Sequence, residues 1–276
     1  MASKVDLHKL QQIIKWSVYT LLLVNWGFYI AEDWTRAMHS LGPESTLLDW
    51  AGEFATSIDE SAWFILLFMF ELETYILEDE DWKGWVAKTV HGVRIACFVM
   101  IAHTVFAFAN TVIEYQPTIV VENASSFCDV ADQGISHVYN LEYTEITAQN
   151  CDQFATDGPI YQLGEDPLVV TAEGLSLERQ HAWADLIEVI AWIIIIAAIE
   201  IVVRLHDRDV TGGVLFNVAN RVKVLFYVVL MVLAVWWATL GHWLYTWDEF
   251  LWIAGFAAIE MNISEWREEI KEELSA

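Results

Sequence analysis

Proline is scarce in this sequence: 4 occur among 276 residues, at positions 43, 117, 159 and 167, and none falls inside a long apolar run. Helices through those runs therefore escape the kink that an interior proline imposes. Basic residues are few as well, 14 Lys and Arg against 39 Asp and Glu, and between Glu114 and Glu178 there are none. A formal net charge of −25 argues against nucleic acid and anionic lipid surfaces as partners, and suits cations. The 3 cysteines are too few and too far apart for a zinc cluster. No P-loop, Rossmann fingerprint or GxSxG elbow occurs, so nucleotide and nucleophilic chemistry have no motif and no catalytic residue is assigned.

What is abundant is apolar: 56% of residues are hydrophobic, 15 are Trp, and the mean hydropathy is +0.37. That composition points to lipid as the solvent. A hydrocarbon core of roughly 30 Å takes about 20 residues of helix. Candidate spans run over residues 13–31, 61–77, 93–113, 184–203, 222–244 and a shorter 250–263. The expected fold class is an all-α polytopic integral membrane protein, about six transmembrane helices paired as three helical hairpins, with one disulfide-bearing insertion. Its parts are residues 1–114 (helices 1–3), 115–181 (insertion), 182–264 (helices 4–6) and 265–276 (acidic tail).

Lys and Arg concentrate in short cytoplasmic flanks of membrane helices. Here Lys4, Lys9, Lys15, Lys83, Lys88, Arg94, Arg204, Arg208, Arg221 and Lys223 fall on one side, and Arg36 and Arg179 on the other. The expected topology puts both termini in the cytoplasm and residues 115–181 outside, in a bacterial inner membrane or a plasma membrane. An oxidising exterior permits a Cys128–Cys151 disulfide, while Cys97 sits within a span. Within the insertion, "TIVV" and "PLVV" read as short strands. Its low apolar density argues against an independent core.

Three stretches align: an acid, a Trp four residues on, and a Glu eight further. They are Asp59, Trp63, Glu71; Glu188, Trp192, Glu200; and Asp248, Trp252, Glu260. A basic residue four positions before an aromatic recurs on the preceding helices, at Lys15, Arg94 and Lys223. The pattern suggests an internal repeat of three hairpins. Asp59 and Asp248 also suit helix starts, and the Trp residues suit the lipid boundary.

A charge at the bilayer centre costs from about 2.5 to more than 10 kcal/mol, so intramembrane acids need water, a cation or a partner. Counting from Asp59 puts Glu71 roughly 18 Å down its helix, in the inner half of the hydrocarbon. One reading makes Lys15, Arg94 and Lys223 countercharges to Glu71, Glu200 and Glu260. The other makes Glu71, Glu73, Glu200 and Glu260 an ion path in a cation or proton channel or transporter. No "TVGYG" filter and no regular Arg spacing on the fourth span accompany it.

Glu178, His181, Asp185 and Glu188 follow helical spacing and form a candidate metal set, though the second Glu-x-x-His of a di-iron bundle is missing. A cation is the expected ligand. Haem is disfavoured, because His103 and His242 lie at unmatched depths. Two other functions stay open: a noncatalytic membrane subunit docking a partner through the insertion or tail, and a membrane metal or redox protein. A homo-oligomer is compatible with each.

Overall fold

The computed structural model describes residues 2–75, 84–154, 158–206, 208 and 210–256, which are mostly helical with one small sheet. The helices are α1 (Ala2–Ser40), α2 (Leu47–Glu53), α3 (Ala55–Tyr75), α4 (Trp85–Glu114), α5 (Ala172–His206), α6 (Val214–Thr239) and α7 (243–256). Among the described residues α4, α5 and α6 are long and apolar enough to cross a membrane, three helices where the sequence suggests six. The reasons are local. Asp59, Glu60, Glu71 and Glu73 dilute the 21 residues of α3. Lys15, Asn25 and amphipathic Trp and Tyr interrupt α1. The described part of α7 stops at Phe256, short of a crossing, and Glu260 and the acidic tail lie outside the described residues.

By contacts the chain falls into two compact units, Met1–Gly27 with Ala191–Ala276, and Phe28–Ile190. The first has an aromatic core. Trp237 is 1% exposed, and its ring lies 5.0 Å from Tyr245 and 5.4 Å from His242. Trp192 packs 5.2 Å from Phe256 and 6.3 Å from Tyr227. Trp252, expected at the lipid boundary, is buried here instead. The Thr246 hydroxyl donates to the Ala234 carbonyl at 3.0 Å, tying α7 to α6.

In the second unit α3 and α4 pack antiparallel, with Ala62 against Cys97 and Ile101, flanked by Leu66 and Val93. The Thr104 hydroxyl reaches the Ala55 carbonyl at 3.3 Å, which fixes the register. Both helices rise about 1.5 Å per residue, so continuing the register brings Glu71 level with Lys88, at the charged end of α4. Within the helix pair, Glu71 thus lies towards the end of α4 that carries Lys88.

The insertion folds as a five-stranded sheet, a departure from the all-α expectation. Its strands are β1 (Ile119–Val120), β2 (Ser136–Tyr139), β3 (Glu142–Glu145), β4 (Tyr161–Gln162) and β5 (Leu168–Val170). The order is β1-β4-β5-β2-β3, with β2 and β5 parallel and the other pairs antiparallel. β1 and β5 are the two strands legible in sequence. Alternation along β5 sends Val169 to one face, with Phe127, Val130, Ile146, Cys151 and Ile160. Leu168 and Val170 go to the other, with Val138, Leu163 and Leu175. The insertion thus has apolar cores on both faces, assembled from residues too scattered for local density to reveal. The Cys128–Cys151 disulfide closes beside the first of them.

β2 and β3 are joined through Asn140 and Leu141, at φ 55° and 61°, the left-handed pair that a two-residue hairpin turn requires. At the root of the insertion Arg179 Nε donates to the Tyr115 carbonyl at 2.6 Å. Its Nη2 donates to Gln116 O at 2.7 Å, Pro117 O at 3.2 Å and Thr118 Oγ1 at 2.9 Å.

Candidate functional site

The polar centre of the second unit is a break between two helices. α2 starts with a capping box, in which the Asp49 N–H donates to Thr46 Oγ1 at 3.3 Å and the Thr46 N–H to Asp49 Oδ2 at 2.6 Å. It ends at Glu53, and α3 starts two residues later. Backbone carbonyls at such a junction lack helical partners and need donors from elsewhere. Two elements supply them. From α1, Arg36 Nη2 donates to Glu53 O at 2.7 Å and approaches Gly52 O at 3.5 Å, while its Nε meets Glu53 Oε2 at 2.6 Å. From α4, His103 Nε2 donates to Ala51 O at 3.0 Å, and the Thr104 hydroxyl adds a second bond to Ala55 O, the first carbonyl of α3.

A fork of donors held in one plane is what a carboxylate and a neighbouring carbonyl can share, and Arg supplies it where Lys cannot. One turn earlier on α1, buried Asp33 accepts the Ser57 N–H at 2.9 Å and the Ser57 hydroxyl at 2.6 Å, pinning the start of α3. His39, near the end of α1, bonds Ser136 Oγ at 2.8 Å and stacks on Tyr143, 5.9 Å between centroids at 18°. That pair of contacts ties the end of α1 to the sheet.

The charges around Arg36 are unequal. Asp33, Glu53, Asp166 and Asp185 all interact electrostatically with its guanidinium. Asp166 lies in the turn between β4 and β5. Burial first, then the Glu53 and Glu114 carboxylates, push it up to about 7 against the opposing pull of Arg36. Burial also pushes the Tyr143 and Tyr115 phenols up, which keeps both as neutral hydroxyls at physiological pH.

α5 contributes Glu178 and His181, each 2% exposed at the side chain, joined by Oε2 and Nδ1 at 3.0 Å. The other Glu178 oxygen accepts the Leu141 N–H at 3.3 Å. Asp185, half-buried, interacts with His181 as well as Arg36, so three members of the proposed metal set do fall in one neighbourhood. They do not form a ligand cage: among the described residues no three His, Cys, Asp or Glu side chains are placed to hold a metal ion. Glu188 is half-buried further along α5.

Of the expected ion-path residues, Glu71 and Glu73 belong to the second unit and Glu200 to the first, and Glu260 lies outside the described residues. Glu71 is half-buried on α3, where Glu73 also lies, with the Glu73 side chain outside the described set. Glu200 accepts from Arg204 Nε at 2.6 Å on its own helix, and both side chains are exposed, at 55% and 72%. Of the expected countercharges, Lys15 Nζ lies 5.8 Å from the Trp16 ring centroid, and Arg94 and Lys223 are half-buried on α4 and α6. Two copies of the threefold sequence pattern differ in geometry among the described residues, and Glu260 of the third lies outside them. Trp63 Nε1 donates to Asp59 one turn back at 2.9 Å, whereas Trp192 Nε1 reaches Glu249 of α7 at 3.4 Å.

Sequence reasoning missed Arg36, Asp33, Glu53, His39 and Tyr143. One signal pointed to Arg36: it is the only Lys or Arg between Lys15 and Lys83, as Arg179 is between Arg94 and Arg204, and each satisfies a set of backbone carbonyls. No family model, curated protein or solved structure matches the chain.

Proposed function

We propose that this chain is a membrane protein that moves protons or small cations, with its exchange site at the helix break around Arg36. One observation carries the reading: four carboxylates, Asp33, Glu53, Asp166 and Asp185, share the field of a single guanidinium beside an interrupted helix. Half-buried negative charge in excess of its countercharge binds a proton or a cation. Irregular backbone at membrane depth is tolerated where protein covers it or water lines it, and broken helices recur at transporter binding sites. Asp166, titrating near neutrality, supplies a proton that exchanges at physiological pH. Among the described residues no three His, Cys, Asp or Glu side chains converge on a metal position, which favours the proton over a divalent ion in this reading. The distribution of Lys and Arg supports cytoplasmic termini and a sheet on the outer side.

The test is proton flux in proteoliposomes, driven by a potassium diffusion potential and read by an internal pH dye. The wild-type protein is expected to acidify the lumen. Asp185→Asn is expected to cut the rate at least tenfold while Glu200→Gln leaves it unchanged. Correctly inserted protein that moves no protons and no cations would remove the proposal.

A second reading, a subunit that docks a partner through the insertion, is favoured by the edge strand β1, whose Ile119 and Val120 are 41% and 49% exposed. Purification in mild detergent separates the two, since a stoichiometric companion with no flux supports the second.

A further inference from the structure

The second unit carries an apolar surface that the exchange site does not use. On α2, Leu47 is 89% and Leu48 59% exposed, and on α1, Trp34 is 54% and Met38 62% exposed. The rings of Trp34, Trp50 and Phe54 form a triangle with centroids 6.0 to 6.3 Å apart, so the patch has a rigid aromatic floor. Asp49, the acid next to Leu48, is exposed and is tied by the capping box to Thr46 at the start of the helix.

Its level in the fold is known. The Ala51 carbonyl touches His103, and His103 lies inside the uncharged stretch 95–113 of α4, a helix long and apolar enough to cross a membrane. Phe106 and Ile113 on that same stretch are exposed at 59% and 67%. The patch on α2 is therefore continuous in depth with a surface that lipid covers if α4 spans. The start of α2 fits the opposite medium. Backbone and hydroxyl hydrogen bonds from Thr46 hold the exposed Asp49 carboxyl below its ordinary range, so it stays ionised, and the preceding "SLGPEST" is polar. One end wants water and the adjoining face wants hydrocarbon.

We infer that α2 is an interfacial anchor lying at the boundary between headgroups and acyl chains, with Leu47, Leu48 and Trp34 in contact with lipid. Trp at such a boundary places its ring among the chains and its N–H among the headgroups. Short amphipathic helices bury their apolar face roughly 5–10 Å below that boundary. With a chain of net charge −25, the match is to zwitterionic rather than anionic lipid. The anchor would fix the depth of the helix break, because Glu53 follows Leu47 on the same short helix.

The experiment is nitroxide accessibility in phosphatidylcholine vesicles. Leu48→Cys and Leu47→Cys are spin-labelled separately, with buried Cys97 and the Cys128–Cys151 disulfide left in place and the unsubstituted chain as labelling control. Glu145→Cys on β3 serves as the aqueous reference. Collision with oxygen is expected to exceed collision with a water-soluble nickel chelate severalfold at positions 47 and 48, with the reverse at 145. Nickel access at 48 equal to that at 145 would overturn the inference by placing α2 in water. Exclusion of both reagents would overturn it in favour of a protein occupant. Neither outcome depends on proton flux.

Discussion

Replacing Arg36 by Met keeps the length of the aliphatic stem and removes the fork. The structure sets the scale of the loss. The Arg36 and Glu53 side chains are 28% and 16% exposed, so their pair is shielded but not dry. Breaking a fully buried pair by deleting one partner costs about 3–5 kcal/mol, and partial exposure reduces this to about 2–3. The Glu53 carbonyl loses its 2.7 Å donor as well, about 1 kcal/mol when left unsatisfied. The expected total is about 3 kcal/mol. Arg36→Lys retains charge without the fork and is expected to cost about 1–2 kcal/mol. Glu53→Gln combined with Arg36→Met isolates the side-chain pair, with an expected coupling of about 1.5–2 kcal/mol. Equilibrium unfolding in mixed detergent micelles, followed by far-UV circular dichroism and Trp emission, measures all five chains: the parent, Arg36→Met, Arg36→Lys, Glu53→Gln and the double variant. Arg36→Met within 0.5 kcal/mol of the parent, or a cycle with no coupling, would refute the assignment of Arg36 as the group that holds the break together.

Asp166 gives a pH prediction. Its folded-state value of about 7 lies above the ordinary 3.8, so folding favours its protonated form. Stability from this group is present in full below about pH 4 and is lost as pH rises towards 7, by at most about 4 kcal/mol. Asp166→Asn should flatten that stretch of the stability curve, and a curve parallel to wild type between pH 4 and 7 would contradict it. Leu141→Gly removes a side chain from a left-handed position at φ 61°. It is expected to raise stability by about 0.5–1 kcal/mol, the relief of left-handed strain less the entropy gained by the unfolded chain. A fall in the unfolding midpoint would count against it.

Length and hydropathy made α4, α5 and α6 legible, because a long apolar helix needs no tertiary partner to declare itself. Cys128 and Cys151 were legible for a similar reason: they share one extramembrane segment while Cys97 does not. The strands at 119–120 and 168–170 showed as β-branched runs, but the β2–β3 hairpin did not. In "SHVYNLEYTE" only Val138 is fully buried among the apolar residues, so period-two alternation is faint. The helix break at Phe54 carries no proline, and what holds it open is an Arg 18 residues earlier, a contact that no local pattern encodes. The level of Glu71 beside α4 follows from the pairing of Ala55 with Thr104, a contact between helices that counting along one helix from Asp59 does not use. The repeated acid-Trp-Glu spacing misled for a related reason. Identical letters on α3 and α5 meet different neighbours, an acid on the same helix in one case and an acid on α7 in the other.

Arg179 gathers Tyr115, Gln116, Pro117 and Thr118 at a single knot, and the polypeptide departs and returns through it. A segment tethered this way behaves as a cassette. Its length and contents can be exchanged while α4 and α5 stay packed through Val112, Ala182, Leu186 and Val189, and grafting it onto another antiparallel helix pair requires transplanting that arginine with it.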